Sequence, residues 1–321
     1  MSDVAEWVFF FLVFPGMVFS LVLGLTLTWV DRKVTALVQW RKGPPPLQPF
    51  WDVVKLLGKE VVVPAQAWAS GFLTLPFVAF AGAAAAATLV WLALIGSPIA
   101  PAGDLIVVIY LLSIPSLALI LGGAASGNPL GAVGASREMK LVLAYELPFV
   151  IALLVAVFQK RPFDGESVSA STLSLQGLLG FQDAVGPILW RPSGVIAFVV
   201  AILAAHAKLG FVPFDIAEAE TEIAEGALIE YSGASLGFFK LTNALMLATL
   251  PVLLILVFWG GLRATAWGIT FFVLKLLLIV VLFVLIKNTN PRVRIDQALR
   301  FFWGPMTILA LIALVLAQLG W

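Results

Sequence analysis

The sequence predicts an all-α integral membrane protein of eight transmembrane helices plus an amphipathic helix along the cytoplasmic interface, all in one membrane domain spanning residues 1–321. Three observations carry this. Hydrophobic residues make up 61% of the chain and charged residues 12%, about half the roughly 25% charged share of soluble proteins. The apolar residues gather into eight runs of about 20, the length at which a helix rising about 1.5 Å per residue crosses about 30 Å of hydrocarbon. Clusters of Gly, Pro and charge at 42–46, 96–103, 122–134 and 288–294 separate them, as expected where helices stop and the backbone needs other partners.

The first run, 7–30, is too long for the roughly 7–15-residue apolar stretch of a signal peptide and follows an acidic start, so it reads as a retained span. Residues 47–59 (LQPFWDVVKLLGK) carry apolar side chains at 47, 50, 51, 53, 54, 56 and 57. That is too short to cross, but it suits a helix lying in the membrane interface or one offered to a soluble partner. The remaining spans are expected at 71–95, 104–123, 140–158, 193–212, 241–260, 265–287 and 303–320. No internal repeat is visible, which disfavours an inverted-repeat transporter.

Orientation follows from the cations. With the loop after the first span placed inside, Arg32, Lys33, Arg41, Lys42, Lys55, Lys59, Arg137, Lys140, Lys240, Lys287, Arg292, Arg294 and Arg300 are cytoplasmic. Only Lys160, Arg161, Arg191 and Arg263 fall outside. Such an imbalance orients a multi-pass protein in the cell membrane, here with both termini outside because eight is even.

Composition also excludes functions. The 19 basic and 18 acidic residues nearly cancel, leaving no basic surface for nucleic acid. Without cysteine the chain holds no disulfide, thiolate-bound zinc or iron–sulfur cluster, and one histidine argues against a histidine-rich metal or haem site. No phosphate-binding glycine loop is present. The chain is therefore expected to carry no cofactor of its own.

Four ionisable residues fall within apolar runs: Glu146, His206, Lys208 and Lys275. A central charge costs about 2.5–3.5 kcal/mol on insertion scales, so such groups usually face protein or water. Glu146 precedes Pro148, whose missing N–H opens the helix beside the carboxylate; it reads as a pathway residue or as half of an ion pair near a helix end. Lys208, five residues before Pro213, has the reach to snorkel to the cytoplasmic interface. His206, on a different helix face, reads as a packing hydrogen bond or a proton relay. Lys275, about twelve residues from the cytoplasmic end of its run, calls for an internal carboxylate or a hydrated cavity.

The segment VPFDIAEAETEIAEGALIEYSG holds Asp215, Glu218, Glu220, Glu222, Glu225 and Glu230, with no base until Lys240. Helical spacing would place Glu218, Glu222 and Glu225 on one face, where like charges repel and a proton becomes exchangeable. Interleaved Ile and Ala point to partial burial. Proton or cation handling, a docking face for a partner and a solvated loop all remain open on these residues alone.

Two long strings, WVDRKVTALVQWRKGPPPLQPFWDVVKLLGKE (29–60) and PFDIAEAETEIAEGALIEYSG (213–233), resemble the signature regions of the NuoH-type, or subunit-1, family of respiratory complex I and its membrane-bound [NiFe]-hydrogenase relatives. Complex I members typically carry an acid and an arginine just before PFD; here Lys208 and Phe211 stand there, in AKLGFVPFD. The string NPLGAVGASREMKLVLAYELP (128–148) is similar to the energy-converting hydrogenases of the Ech, formate hydrogenlyase, CO-induced and archaeal Mbh types.

The resemblance implies a membrane anchor and ion-translocation coupling subunit of a ferredoxin-dependent energy-converting [NiFe] hydrogenase. The alternative is a quinone-chamber subunit of a complex I-like NADH or F420H2 dehydrogenase. Its partners would be a [NiFe] large subunit and an iron–sulfur small subunit, which carry the [NiFe] centre and clusters, together with antiporter-like membrane subunits. Carried over, Asp215, Glu218, Glu220, Glu222 and Glu230 are coupling acids, with Glu138 and Glu146 from the fourth span. Glu225 stands where many complex I members have a small residue. Arg32, Arg41, Asp52, Lys55 and Glu60 form the docking face, joined by Arg137 of the ASREM string. Reduction in the docked arm would shift protons in the acid cluster and bias a relay through Glu146 and Lys275.

Overall fold

The computed structural model describes residues 8–96, 105–159, 173–262 and 265–321. Lys160, Arg161 and Arg263, three of the four cations expected outside, lie beyond the described residues, as do the first residues of the 7–30 and 104–123 runs. Among the described residues seven helices are long and apolar enough to cross a membrane.

The first candidate span, Val8–Val38, is regular as α1 (Met17–Val38). The amphipathic segment forms α2 (Gln48–Leu57). Phe50 and Val53 pack on Leu25, Leu241 and Ala244, while Trp51, Val54 and Leu57 stay exposed. α3 (Ala69–Ile95) and α4 (Leu105–Ala125) pair closely.

α5 (Pro129–Gln159) has 31 residues and takes in the 140–158 run. The 122–134 segment, expected to separate two helices, is mostly helical, with only 126–128 between α4 and α5. Four of its five glycines lie within the helices, and Gly127, at φ 71°, makes the break between them. A Cβ on Gly134 would sit 2.4 Å from the Ala227 nitrogen, so only glycine lets α5 approach the acid segment this closely.

α6 (Leu175–Val185) lies where no helix was expected; Ser174 caps it by accepting from the Gly177 N–H at 3.5 Å. The 193–212 run gives α7 (Pro192–Lys208), apolar but, at 17 residues and about 25 Å, shorter than any of the seven. It ends early because Gly210 turns the chain at φ 63°. α8 (Gly233–Trp259) is the hub, with 94% of its most apolar stretch buried, and it packs against α1 and α3. Its last turn, Ile255–Trp259, is π-helical. Buried Gln182 donates to the Leu256 and Val257 carbonyls at 2.8 and 3.1 Å and accepts from the Gly260 N–H at 2.8 Å. α9 (Ala266–Thr289) follows, then α10 (Ile295–Gln318), which starts before the expected 303 and carries a π-helical turn around Pro305.

Candidate functional site

The segment between α7 and α8 is mostly irregular. Val293 N–H donates to the Pro213 carbonyl at 3.1 Å, and Arg292 grips Asp215 from two sides, Nε donating to Oδ1 at 2.7 Å and Nη2 to Oδ2. The same guanidinium reaches Thr221 Oγ1 at 3.0 Å. One helical turn, Glu220–Ile223, ends where Ala224 and Glu225 adopt φ of 48° and 70°.

That break corrects the expected shared acid face, because the helix needed to align Glu218, Glu222 and Glu225 does not persist. Glu218 turns to an internal cavity. Glu222 is exposed and paired with Arg137 at 2.7 Å, and Glu225 is exposed. Glu230 accepts from Asn128 Nδ2 at 2.6 Å. The Glu220 side chain lies outside the described residues, its backbone opening the short turn.

The cavity measures about 40 Å³, room for about one water, and Ser116, Glu138, Lys208, Asp215, Glu218 and Asn243 line it. Glu138 is buried on α5. Two turns on, Glu146 meets Lys208 Nζ at 2.6 Å; the ammonium also lies 5.4 and 5.5 Å from the ring centroids of Tyr145 and Phe149. Ser113 Oγ donates to Glu146 Oε1, and Glu146 Oε2 is buried without a hydrogen-bond partner among the described residues. Tyr145 Oη and Ser116 Oγ lie 3.2 Å apart beside the cavity, and Lys208 belongs both to the cavity wall and to the pair.

Lys208 therefore does not snorkel. Its side chain is fully buried, because the Glu146 carboxylate compensates the loss of water. His206 Nε2 lies 2.7 Å from the Val212 carbonyl, and its ring is enclosed by Phe211, Phe214 and Phe283. Lys275 is placed elsewhere: Nζ donates to the Trp259 carbonyl at 2.8 Å and lines a second cavity.

In the first signature region Arg32 bonds Asp52 at 2.6 Å and Gln48 donates to Asp52 at 2.8 Å. Partial burial pushes the Asp52 carboxyl up, but the hydrogen bonds from Arg32 and Gln48 and the charges of Arg32 and Lys55 outweigh it and hold the group below its usual range. Arg41, Lys55 and Glu60 are exposed. The two signature regions abut: Ser232 Oγ accepts from the Val62 N–H at 3.0 Å, and a Cβ on Gly233 (φ 55°) would lie 2.4 Å from the Glu60 carbonyl oxygen. Burial pushes the phenol of neighbouring Tyr231 above its ordinary pKa, and its ring stacks on Phe72 at 4.1 Å.

Sequence reasoning missed the hydroxyls of Ser113, Ser116 and Tyr145, which carry no distinguishing signal in an apolar run. It also missed the half-buried pair Asp31–Lys287 (3.0 Å), which ties α1 to α9. It counted Arg292 and Lys287 only for topology.

The family model described as NADH dehydrogenase matches residues 11–318. The NuoH subunit of NADH-quinone oxidoreductase from Thermomicrobium roseum is 34% identical over 94% of this chain and 92% of that protein. Formate hydrogenlyase subunit 4 of Escherichia coli is 32% identical over 87% of this chain and 89% of its own length. Among solved structures, a chain of the membrane-bound sulfane sulfur reductase, an archaeal respiratory membrane complex, superposes with a TM-score of 0.82 at 26% identity, covering 94% of this chain and 96% of that one. With its membrane-spanning helices and near full-length matches, this chain belongs to the NADH dehydrogenase family, the NuoH-type membrane subunits of complex I-like and hydrogenase-related assemblies.

Proposed function

We propose that this chain is the membrane anchor and coupling subunit of a ferredoxin-dependent energy-converting [NiFe] hydrogenase, linking electron transfer in a docked soluble arm to H⁺ or Na⁺ movement. The observation that carries the reading is the cavity shared by Glu138, Lys208, Asp215 and Glu218, in which Lys208 also pairs with Glu146. Within the membrane an ionisable group is costly, so this concentration is a functional expense. We take the chain as a single membrane domain with α7 as the eighth span, the 213–233 segment cytoplasmic and both termini outside.

Charge in the docked arm then acts on the cavity. Two unit charges about 4 Å apart at an effective dielectric near 20 interact by roughly 4 kcal/mol, and about 1.4 kcal/mol is one pKa unit. A proton arriving by Glu218 and Glu138 would neutralise the Glu146 carboxylate, and the Lys208 ammonium would then release one towards neighbouring antiporter-like subunits, leaving the pair uncharged. Glu220, Glu222, Glu225 and Glu230 are the rim acids of this reading. His206, bonded to a backbone carbonyl, serves packing instead. Arg32, Arg41, Asp52, Lys55 and Glu60 form the docking face for the [NiFe] and iron–sulfur subunits. Arg137 there holds Glu222.

The test is Glu138→Gln in sealed membrane vesicles with the assembled complex. The ratio of ion gradient formed to hydrogen evolved from reduced ferredoxin is expected to fall at least tenfold. An unchanged ratio at full assembly would remove the cavity from coupling. The second reading, a quinone-chamber subunit, is favoured by the relatives that belong to NADH-quinone oxidoreductases and by a cavity of about 260 Å³ between α1, α2 and α8. Nickel in the purified complex supports the first reading; quinone reduction without nickel supports the second.

A further inference from the structure

The cavity at Glu138 leaves Lys275 unexplained. This lysine stands nine residues into α9, about 14 Å from the Ala266 end and about 21 Å from the Thr289 end. Its ammonium lies 5.6 Å from the Trp259 ring centroid as well as on that residue's carbonyl. It forms part of the wall of a cavity of about 310 Å³, which Gln182, Asp183, Pro187, Trp259, Phe271 and four glycines also line. At about 30 Å³ per water this space holds on the order of ten. Apolar surface makes up most of the wall, and Lys275, Asp183 and the Gln182 amide supply its polar side chains.

The wall comes from α6, the start of α9 and the connections that follow α6 and α8, at the end of α8 remote from the acid segment, which precedes Gly233. Between the two ends the core of α8 is dry: Leu250, Val252, Leu253, Leu254, Ile255 and Leu256 are fully buried. Water at Lys275 therefore has its natural route from the α6–α7 end. Asp183 is the other ionisable group on this wall among the described residues, and both it and Lys275 have interaction partners.

We infer that this glycine-lined cavity is an aqueous vestibule opening on the face opposite the acid segment, and that Lys275 is an ionisable site served by water and protons from that face. It is separate from the Glu138–Lys208 site, and its geometry is independent of any coupling role.

Because the chain has no cysteine, an introduced one is its sole thiol. Lys275→Cys and Phe271→Cys, both on the cavity wall, are placed in the assembled complex in sealed native vesicles and treated from either side with a charged, membrane-impermeant methanethiosulfonate. Exposed Trp190, in the α6–α7 connection, supplies the side marker as Trp190→Cys. Either cavity position is expected to label from the marker's side at least tenfold faster than from the other. Phe271→Cys keeps the test alive if Lys275→Cys fails to assemble. Faster labelling from the opposite side, or no labelling at an assembled cavity position while the marker reacts, overturns the inference.

Discussion

Lys208 and Glu146, 62 residues apart in the chain, meet at 2.6 Å between α7 and α5, with the lysine side chain wholly buried. Neither charge is tolerable there alone. Removing one partner of a buried pair typically costs about 3–5 kcal/mol, whereas replacing both with apolar groups is often neutral. Lys208→Met is therefore expected to lower the unfolding temperature of the purified complex markedly. Lys208→Met with Glu146→Leu should restore most of that stability but not ion-gradient formation; thermal melts and vesicle assays separate the two effects.

Asp215 is held by a two-pronged guanidinium, a geometry that lysine does not reproduce. Arg292→Lys is expected to release the start of the acid segment, raising amide exchange over 213–222 at least tenfold in hydrogen-exchange mass spectrometry. Protection equal to wild type would show that the Pro213 backbone contact suffices.

Asp52 links pH to the docking of α2. Its folded carboxyl titrates below the ordinary value of 3.8, so the Arg32 contact stabilises fully above that value and is lost as pH falls through the lower folded pKa. Emission from exposed Trp51 should be constant from about pH 5 upward and change below about pH 4. Asp52→Asn should remove that acid transition.

Gly134→Val places carbon against the backbone of Ala227, where the nearest atom would lie 2.4 Å from Cβ. Overpacking of this kind costs about 1–3 kcal/mol. Coupled ion movement is expected to fall while the subunit remains in the membrane, as judged by extraction with alkaline carbonate.

The Arg137–Glu222 bridge is more exposed, with side-chain exposures of 26% and 52%. Such pairs contribute about 0–1 kcal/mol. Arg137→Gln should leave the melting temperature within about 2 °C, consistent with that range.

The spans were legible because a long apolar run has few alternatives to a membrane helix, and α2 because its apolar positions recur at helical spacing. The margins were not. The polar start of α5 reads as a loop until its glycines are seen against Ala227. α6 escapes notice because it has only 11 residues, interrupted by Gln, Gly and Asp, too few to read as a span. Candidate acids could be named from type and crowding, but which of them face the cavity depends on the left-handed turn at Ala224 and Glu225, which no periodicity announces. Lys208 was misplaced for a related reason: reach to the interface can be measured along one helix, whereas the Glu146 carboxylate that turns it inward belongs to another.

Gly233 leaves no slack against the carbonyls of Lys59 and Glu60. The chain leaving α2 and the first turn of α8 are thus wedged together, so tugging on the surface helix would tilt the hub that walls the acid cavity. Force, as well as charge, has a short rigid lever into the bundle.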